Sequence, residues 1–192
     1  MKKKDIFEIF RLKSTVLTFN EISLVLRETN LNLLKRRINH YVKTKKLYSP
    51  RKGIYAKDKN YDRFELATKI YTPSYISLET VLENEGVIFQ HYKSIYAVSY
   101  LNREIKSDDN IFIYKKIKDI VLSNSKGIEK KENYFIATKE RAFLDILYLY
   151  KDYYFDNLKS INWNDCFDIV KIYENKSLIK RLKEYYKNAG HK

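Results

Sequence analysis

Leu31-Asn32-Leu33-Leu34-Lys35-Arg36-Arg37-Ile38-Asn39-His40-Tyr41-Val42-Lys43-Thr44, followed at once by Lys45-Lys46-Leu47-Tyr48-Ser49-Pro50-Arg51-Lys52-Gly53-Ile54-Tyr55-Ala56, is the stretch on which the reading of this chain turns. At helical spacing Leu31, Leu34, Ile38, Tyr41 and Val42 gather on one face of the first segment. Intervals of about 100° per residue put Asn32, Arg36, Asn39, His40 and Lys43 on the opposite side, with Lys35 and Arg37 on the flanks. The second segment sets two short apolar or aromatic runs on either side of a turn carrying Pro50 and Gly53, the composition of a β-hairpin. Proline presets φ at a turn position and glycine accepts a left-handed backbone. Arg51 and Lys52 stand at the hairpin tip.

Working upstream, residues 3–12 predict a short amphipathic helix with Ile6, Phe7, Phe10 and Ile9 on its apolar side. Thr18-Phe19-Asn20-Glu21 has the form of a capping box and opens a second helix through Ile22, Leu24, Val25 and Leu26. Glu28-Thr29-Asn30 breaks that helix before the third begins. Three helices followed by a basic-tipped hairpin make the order of a winged helix-turn-helix, whose third helix enters a major groove while the wing touches the adjacent backbone. Arg and Asn present bidentate groups that fit guanine and adenine edges. Lysines suit phosphates. The expected DNA-binding set is therefore Asn32, Arg36, Asn39 and Lys43 toward base edges or groove phosphates, with Arg37 and His40 beside them. Lys35, Lys45, Lys46, Arg51 and Lys52 would neutralise backbone phosphates, and Tyr48 and Tyr55 on the wing strands would touch the backbone. Taken one at a time, each of these residue types is equally at home on a solvated helix surface.

The charge distribution argues the same way. The chain has 192 residues and a formal net charge of +14. Residues 1–60 contain 16 Lys or Arg against 5 Asp or Glu, and residues 61–192 contain 22 against 19. AT-rich codon usage enriches Lys, Asn, Ile and Tyr everywhere, but it does not make acids scarce only at the front. A basic head on a nearly neutral body points to a polyanionic partner, here double-stranded DNA.

Several function classes find no support in the residues. Gly53, Gly86, Gly127 and Gly190 are too far apart for a P-loop or a dinucleotide fingerprint. A single cysteine, Cys166, excludes an internal disulfide framework and a multi-cysteine zinc site, and its apolar-aromatic neighbours Trp163 and Phe167 mark it as a core residue. His40, His91 and His191 are isolated and offer no ligand spacing. Asp165 and Asp168 share a helix side as a solvated pair, Asp108-Asp109 read as a loop, and Glu140 sits where a helix dipole favours an acid. No catalytic, cofactor or metal constellation is expected, and the reading is of a non-enzyme. Met1-Lys2-Lys3-Lys4-Asp5 is not followed by an apolar signal core, and no apolar run is long enough for a bilayer. A cytoplasmic protein without membrane contact is expected.

Lys57-Asp58-Lys59-Asn60 forms a polar joint, so the expected domains are 1–60 and 61–192. Phe64, Leu66, Ala67 and Ile70 suggest a connecting helix stopped at Thr72-Pro73. Ser77 is expected to cap a helix through Leu78, Val81 and Leu82 that ends at Gly86. Ile95–Ser99, Ile111–Tyr114 and Tyr134–Ala137 read as strands, the last running into a helix capped by Thr138 whose Phe143, Leu144, Leu147 and Tyr148 form a buried side. Two more helices are expected at about 164–174 and 177–187, the second basic on its surface. The fold class expected is α+β: an N-terminal winged helix-turn-helix domain, then a mixed α/β domain with a small sheet and C-terminal helices.

Read in order, Arg37-Ile38, Leu47, Arg51-Lys52-Gly53-Ile54-Tyr55, Pro73-Ser74-Tyr75-Ile76-Ser77-Leu78-Glu79, Ile95-Tyr96-Ala97-Val98-Ser99 and Ile136-Ala137-Thr138-Lys139-Glu140-Arg141-Ala142-Phe143-Leu144-Asp145 resemble the AbiEi antitoxins of abortive-infection, type IV toxin–antitoxin systems. The resemblance spans about residues 5 to 150. It implies a winged-helix transcriptional regulator that represses its own operon, and a C-terminal antitoxin domain that counters a cognate nucleotidyltransferase-like toxin, by direct contact or indirectly. A palindromic operator of inverted repeats would favour two protomers on DNA, as monomers binding cooperatively or as a weak dimer. A stand-alone regulator whose C-terminal domain senses a ligand or mediates assembly is the alternative.

Overall fold

The computed structural model describes residues 5–190; Met1–Lys4, which include the start of the helix expected over 3–12, and His191 lie outside the described residues. The chain divides into two compact units, Met1–Ile70 and Tyr71–Lys192. The class is α+β, with nine α-helices and two sheets among the described residues.

The first unit runs α1 (Phe7–Phe10), β1 (Val16–Thr18), α2 (Phe19–Leu26), α3 (Leu31–Lys43), β2 (Tyr48–Arg51), β3 (Ile54–Ala56) and α4 (Arg63–Ile70). Local chemistry sets the helix starts. The Thr18 hydroxyl accepts from the Glu21 amide at 3.2 Å while Glu21 Oε2 accepts from the Thr18 amide at 2.7 Å, the reciprocal capping box. Asn30 caps α3 by accepting from the Leu33 amide at 3.0 Å. The core gathers Ile6, Ile9, Leu17, Ile22, Leu26, Leu34, Ile38 and Leu47. In α1 the buried side is Ile6 and Ile9, whereas Phe7 and Phe10 are exposed, because α1 is one turn long and only that edge meets the core.

The hairpin exists and is tighter than its composition implies. Arg51 pairs with Ile54, so Lys52 and Gly53 alone make the turn, Gly53 taking φ +82. Pro50 lies within β2 and not at the turn; β2 is an edge strand of the order β1-β3-β2, where a missing ladder donor is tolerated. β1 was not legible in advance. It is three residues long and gains its ladder only by pairing with β3, Val16 to Ala56. The helix read as a connector, α4, belongs to the first unit. Its buried Glu65 accepts from the Thr15 amide at 2.8 Å and the Thr15 hydroxyl at 2.7 Å, and Ser14 donates to the same carboxylate.

The second unit runs β4 (Ser74–Ile76), α5 (Glu79–Asn84), β5 (Ser94–Ser99), β6 (Arg103–Ser107), β7 (Asn110–Lys116), α6 (Asp119–Leu122), β8 (Ile128–Lys130), β9 (Phe135–Ala137), α7 (Lys139–Leu149), α8 (Trp163–Ile169), a 3-10 turn Val170–Tyr173 and α9 (Lys176–Asn188). Its six-stranded sheet has the order β6-β7-β5-β4-β9-β8, parallel at β5–β7 and β4–β9 and antiparallel elsewhere. The sheet is larger than the small one expected. β5, β7 and β9 fall where strands were read; β4, β6 and β8 are added. β6 and β8 are the two edges and carry charged residues, which protects an edge from pairing and hides its apolar alternation. Ser77 does not cap α5. Its hydroxyl donates to Asp145 at 2.8 Å, and the residue before the helix is Leu78, at φ +58.

Candidate nucleic-acid interface

The side of α3 opposite Leu34 and Ile38 is open. Asn32, Lys35, Arg36, Asn39, His40 and Lys43 are all exposed, and the two residues after the helix cap, Lys45 and Lys46, are exposed as well. The chain turns sharply there: Lys45 takes φ +58, and the Lys46 and Leu47 amides both donate to the Tyr41 carbonyl, at 2.8 and 3.2 Å. Leu47 is buried and anchors this turn, so β2 starts directly from the end of α3. The hairpin tip is pinned from the other side, where the Phe19 amide donates to the Gly53 carbonyl at 3.0 Å. Lys52 at the tip is exposed and Arg51 is half-buried.

One set of cations in the first unit is tied to partners within it. Arg11 pairs with Glu8 at 3.0 Å, Lys69 pairs with Glu21, and Lys57 donates to the Leu12 and Phe10 carbonyls. Arg37 joins this set. Its Nη1 lies 3.6 Å from the carboxylate of buried Glu28, and its Nη2 donates to the Tyr41 hydroxyl at 3.5 Å. Lys35, Arg36, Lys43, Lys45, Lys46, Arg51 and Lys52 have no ion-pair partner among the described residues. All seven lie on α3, the turn after it, or the hairpin; Arg27, Lys59 and Arg63 also lack an ion-pair partner among the described residues and lie elsewhere in the unit. Unpaired cations gathered on contiguous elements raise the local potential and attract anions.

The two hairpin tyrosines differ. Tyr55 is half-buried against the core of the unit, and burial pushes its hydroxyl above the usual value. Tyr48 stacks on Tyr61 with ring centroids 6.2 Å apart, and Lys59 Nζ sits 5.8 Å over its ring. Sequence periodicity found the open face of α3 but not the partners of Arg37 or Tyr48. Glu28 and Tyr61 lie outside the helix and the hairpin, so no repeat brings them into register with the residues they meet.

The second unit uses charge differently. Arg141 and Asp145, one helical turn apart on α7, are both fully buried, with Nε 3.3 Å from Oδ1. Arg141 also donates to the Lys126 and Val121 carbonyls, each at 2.8 Å, and to the Tyr75 hydroxyl at 3.0 Å. Asp145 accepts from Tyr173 at 2.6 Å, Ser77 at 2.8 Å and Tyr75 at 3.0 Å. Burial, the largest single influence, would lower the guanidinium's pKa, but the Asp145 carboxylate together with Tyr173 and Tyr75 outweighs it and the net shift is upward. A buried ion pair is tolerable only when the remaining donors and acceptors are satisfied, and here they are. Gly127 allows the approach. A Cβ there would stand 2.9 Å from Arg141 Cβ, and its φ is +72. Both charged side chains are fully buried, and their bonds tie α7 to Ser77, Tyr75, Val121, Lys126 and Tyr173.

Cys166 is buried, and burial followed by the Glu140 and Asp165 carboxylates pushes its thiol far up, away from the nucleophilic thiolate. Among the described residues no group of three or more His, Cys, Asp or Glu could hold a metal ion, and no helix is long and apolar enough to cross a membrane. Comparison with protein-family models and with curated proteins gave no match to this chain.

Proposed function

We propose that the chain is a sequence-specific DNA-binding repressor of its own operon, and that its first unit acts as a winged helix-turn-helix. The single observation that carries this reading is the set of seven cations on α3, the following turn and the hairpin that have no ion-pair partner among the described residues, while Arg11, Arg37, Lys57 and Lys69 of the same unit are tied to carboxylates or carbonyls. Capped α2 and α3 joined by a short break, and a two-residue basic hairpin straight after α3, support the docking mode in which the third helix enters the major groove. Arg36, Asn32 and Asn39 then read base edges, and Lys35, Lys43, Lys45, Lys46, Arg51 and Lys52 bind phosphates. Arg37 is held by Glu28 and serves as a brace for α3.

The role of the second unit as an antitoxin against a cognate nucleotidyltransferase-like toxin rests on the ordered phrases quoted above. Selection of bound duplexes from a random-sequence library by the full chain tests the first part. Recovery of a common inverted repeat is expected, and recovery of unenriched sequence overturns it. Co-expression with a nucleotidyltransferase-like toxin of the type the resemblance implies tests the second, with restored growth as the expected result.

A stand-alone regulator with a ligand-sensing second unit draws on one observation. A cleft of about 830 Å³ in that unit is lined by Tyr153, Phe155, Ile161, Trp163, Tyr185 and Asn188, an aromatic lining of the kind small-molecule sites use. A regulator of that kind would leave toxin-arrested growth unrescued.

A further inference from the structure

α9 carries its charge in a way that its own stability does not explain. Leu178 and Leu182 bury one side of the helix. Lys176, Lys180, Lys183 and Lys187 are exposed. At about 100° per residue the four fall within roughly 60° of arc, and at a rise of about 1.5 Å per residue they run about 16 Å along the helix. None of the four side chains has an ion-pair or hydrogen-bond partner among the described residues. Elsewhere in the same unit, Lys126 and Lys171 both reach Asp168 and Lys131 reaches Glu129, whereas Lys93, Lys106, Lys118 and Lys159 are unpaired among the described residues but share no helix face.

Like charges three and four residues apart repel along a helix. Lys176 is also the first residue of α9, where the positive end of the helix dipole disfavours a cation, and no acid occupies the first turn to offset it. Glu184, the one acid on the helix, sits on the flank of the stripe and pairs with none of the lysines. Lys187 in the last turn suits the helix dipole, but the alignment of Lys176, Lys180 and Lys183 is not favoured by the helix itself and is the pattern left by selection for an external anion.

We propose that this row is a phosphate-binding strip for the backbone of a nucleic acid, a contact surface of the second unit separate from the one on the first. Lysine supplies a compact point charge on a flexible stem, suited to phosphodiesters whose exact position varies. An acidic protein partner fits less well. Protein interfaces are depleted of lysine and built around apolar or aromatic anchors, and no such anchor interrupts this row. The inference does not depend on the role of α3.

The test is binding of the full chain to a duplex DNA of roughly 24 base pairs and to a single-stranded RNA of the same length, over about 50 to 200 mM salt. The variant carrying Lys176→Gln, Lys180→Gln, Lys183→Gln and Lys187→Gln is expected to bind at least about 10-fold more weakly at low salt, with the log–log salt slope reduced by about 3 to 4 on the duplex or about 3 on RNA. The nucleic acid whose slope falls identifies the ligand. If the fourfold variant fails to fold, Lys180→Gln alone is expected to lower the slope by a little under one. An unchanged slope on both nucleic acids in a folded variant overturns the proposal, as does polyglutamate competing as well as nucleic acid of equal charge. Arg36→Ala separates the two surfaces. If it loses sequence preference while the fourfold variant keeps its slope, the strip fails and the α3 reading stands; the reverse result removes the α3 reading and leaves the strip.

Discussion

Arg36 and Arg141 show two opposite uses of the same side chain. In the first unit Arg36 is exposed on α3 with no partner, among six other unpaired cations on neighbouring elements. In the second unit Arg141 is fully buried and spends its donors on a carboxylate, a hydroxyl and two carbonyls. An exposed, unpaired guanidinium adds little to stability and is available to an anion from outside. A buried, saturated one is fixed, and its removal leaves a charge with nowhere to go. The comparison teaches that net charge alone is a poor guide to function. What matters is which charges the fold has already used.

The largest effect that can break this contrast is Arg141→Met. It leaves Asp145 charged and buried, and about 3–5 kcal/mol of the second unit's stability should disappear in urea unfolding. A loss below about 1 kcal/mol would place Arg141 with Arg36 as dispensable to the fold. Arg36→Ala should do the reverse. Thermal stability is expected to stay within about 0.5 kcal/mol, while discrimination between selected and random duplexes falls by about 1–3 kcal/mol in anisotropy titrations.

Glu21→Gln sharpens the comparison inside the first unit, since Glu21 both completes the α2 capping box and holds Lys69. A cost of about 1 kcal/mol at neutral pH is expected. Burial raises the Glu21 pKa, but Lys69 and Thr18 outweigh it, so the net shift is below the usual 4.5. A carboxylate with a depressed folded pKa contributes stability above its unfolded pKa and loses it as pH falls through the folded value. The gap between wild type and Glu21→Gln should therefore close on acidification below pH 4.5, as followed by circular dichroism melts at stepped pH. Lys52→Ala, the smallest change, should weaken binding to all duplexes alike and lower the salt slope by about one.

Much of the first unit was legible because its signals are local. The apolar face of α3, the Thr18–Glu21 box and the Gly53 turn each depend on residues within one helical turn or one hairpin of each other. The same holds for α7, where Thr138 accepts from the Arg141 amide at 3.3 Å as a helix cap should. The candidate site was legible as a face and not as a contact list. Arg37 sits between the charged and apolar sides of α3, and only the position of Glu28 decides that it is tied down. Ser77 resembled a cap because it precedes a helical run, yet Asp145, far along the chain, captures its hydroxyl.

From the order of residues alone came the periodicity of α3, the caps, the hairpin turn and the concentration of cations ahead of residue 60. Each arises from chemistry between neighbours, which the covalent chain holds close in any conformation. Tertiary structure decided the pairing of β1 with β3, the six-strand order of the second sheet, the burial of Arg141 and the division of lysines and arginines into bound and unbound. Those depend on which distant segments meet, and no local pattern carries that information.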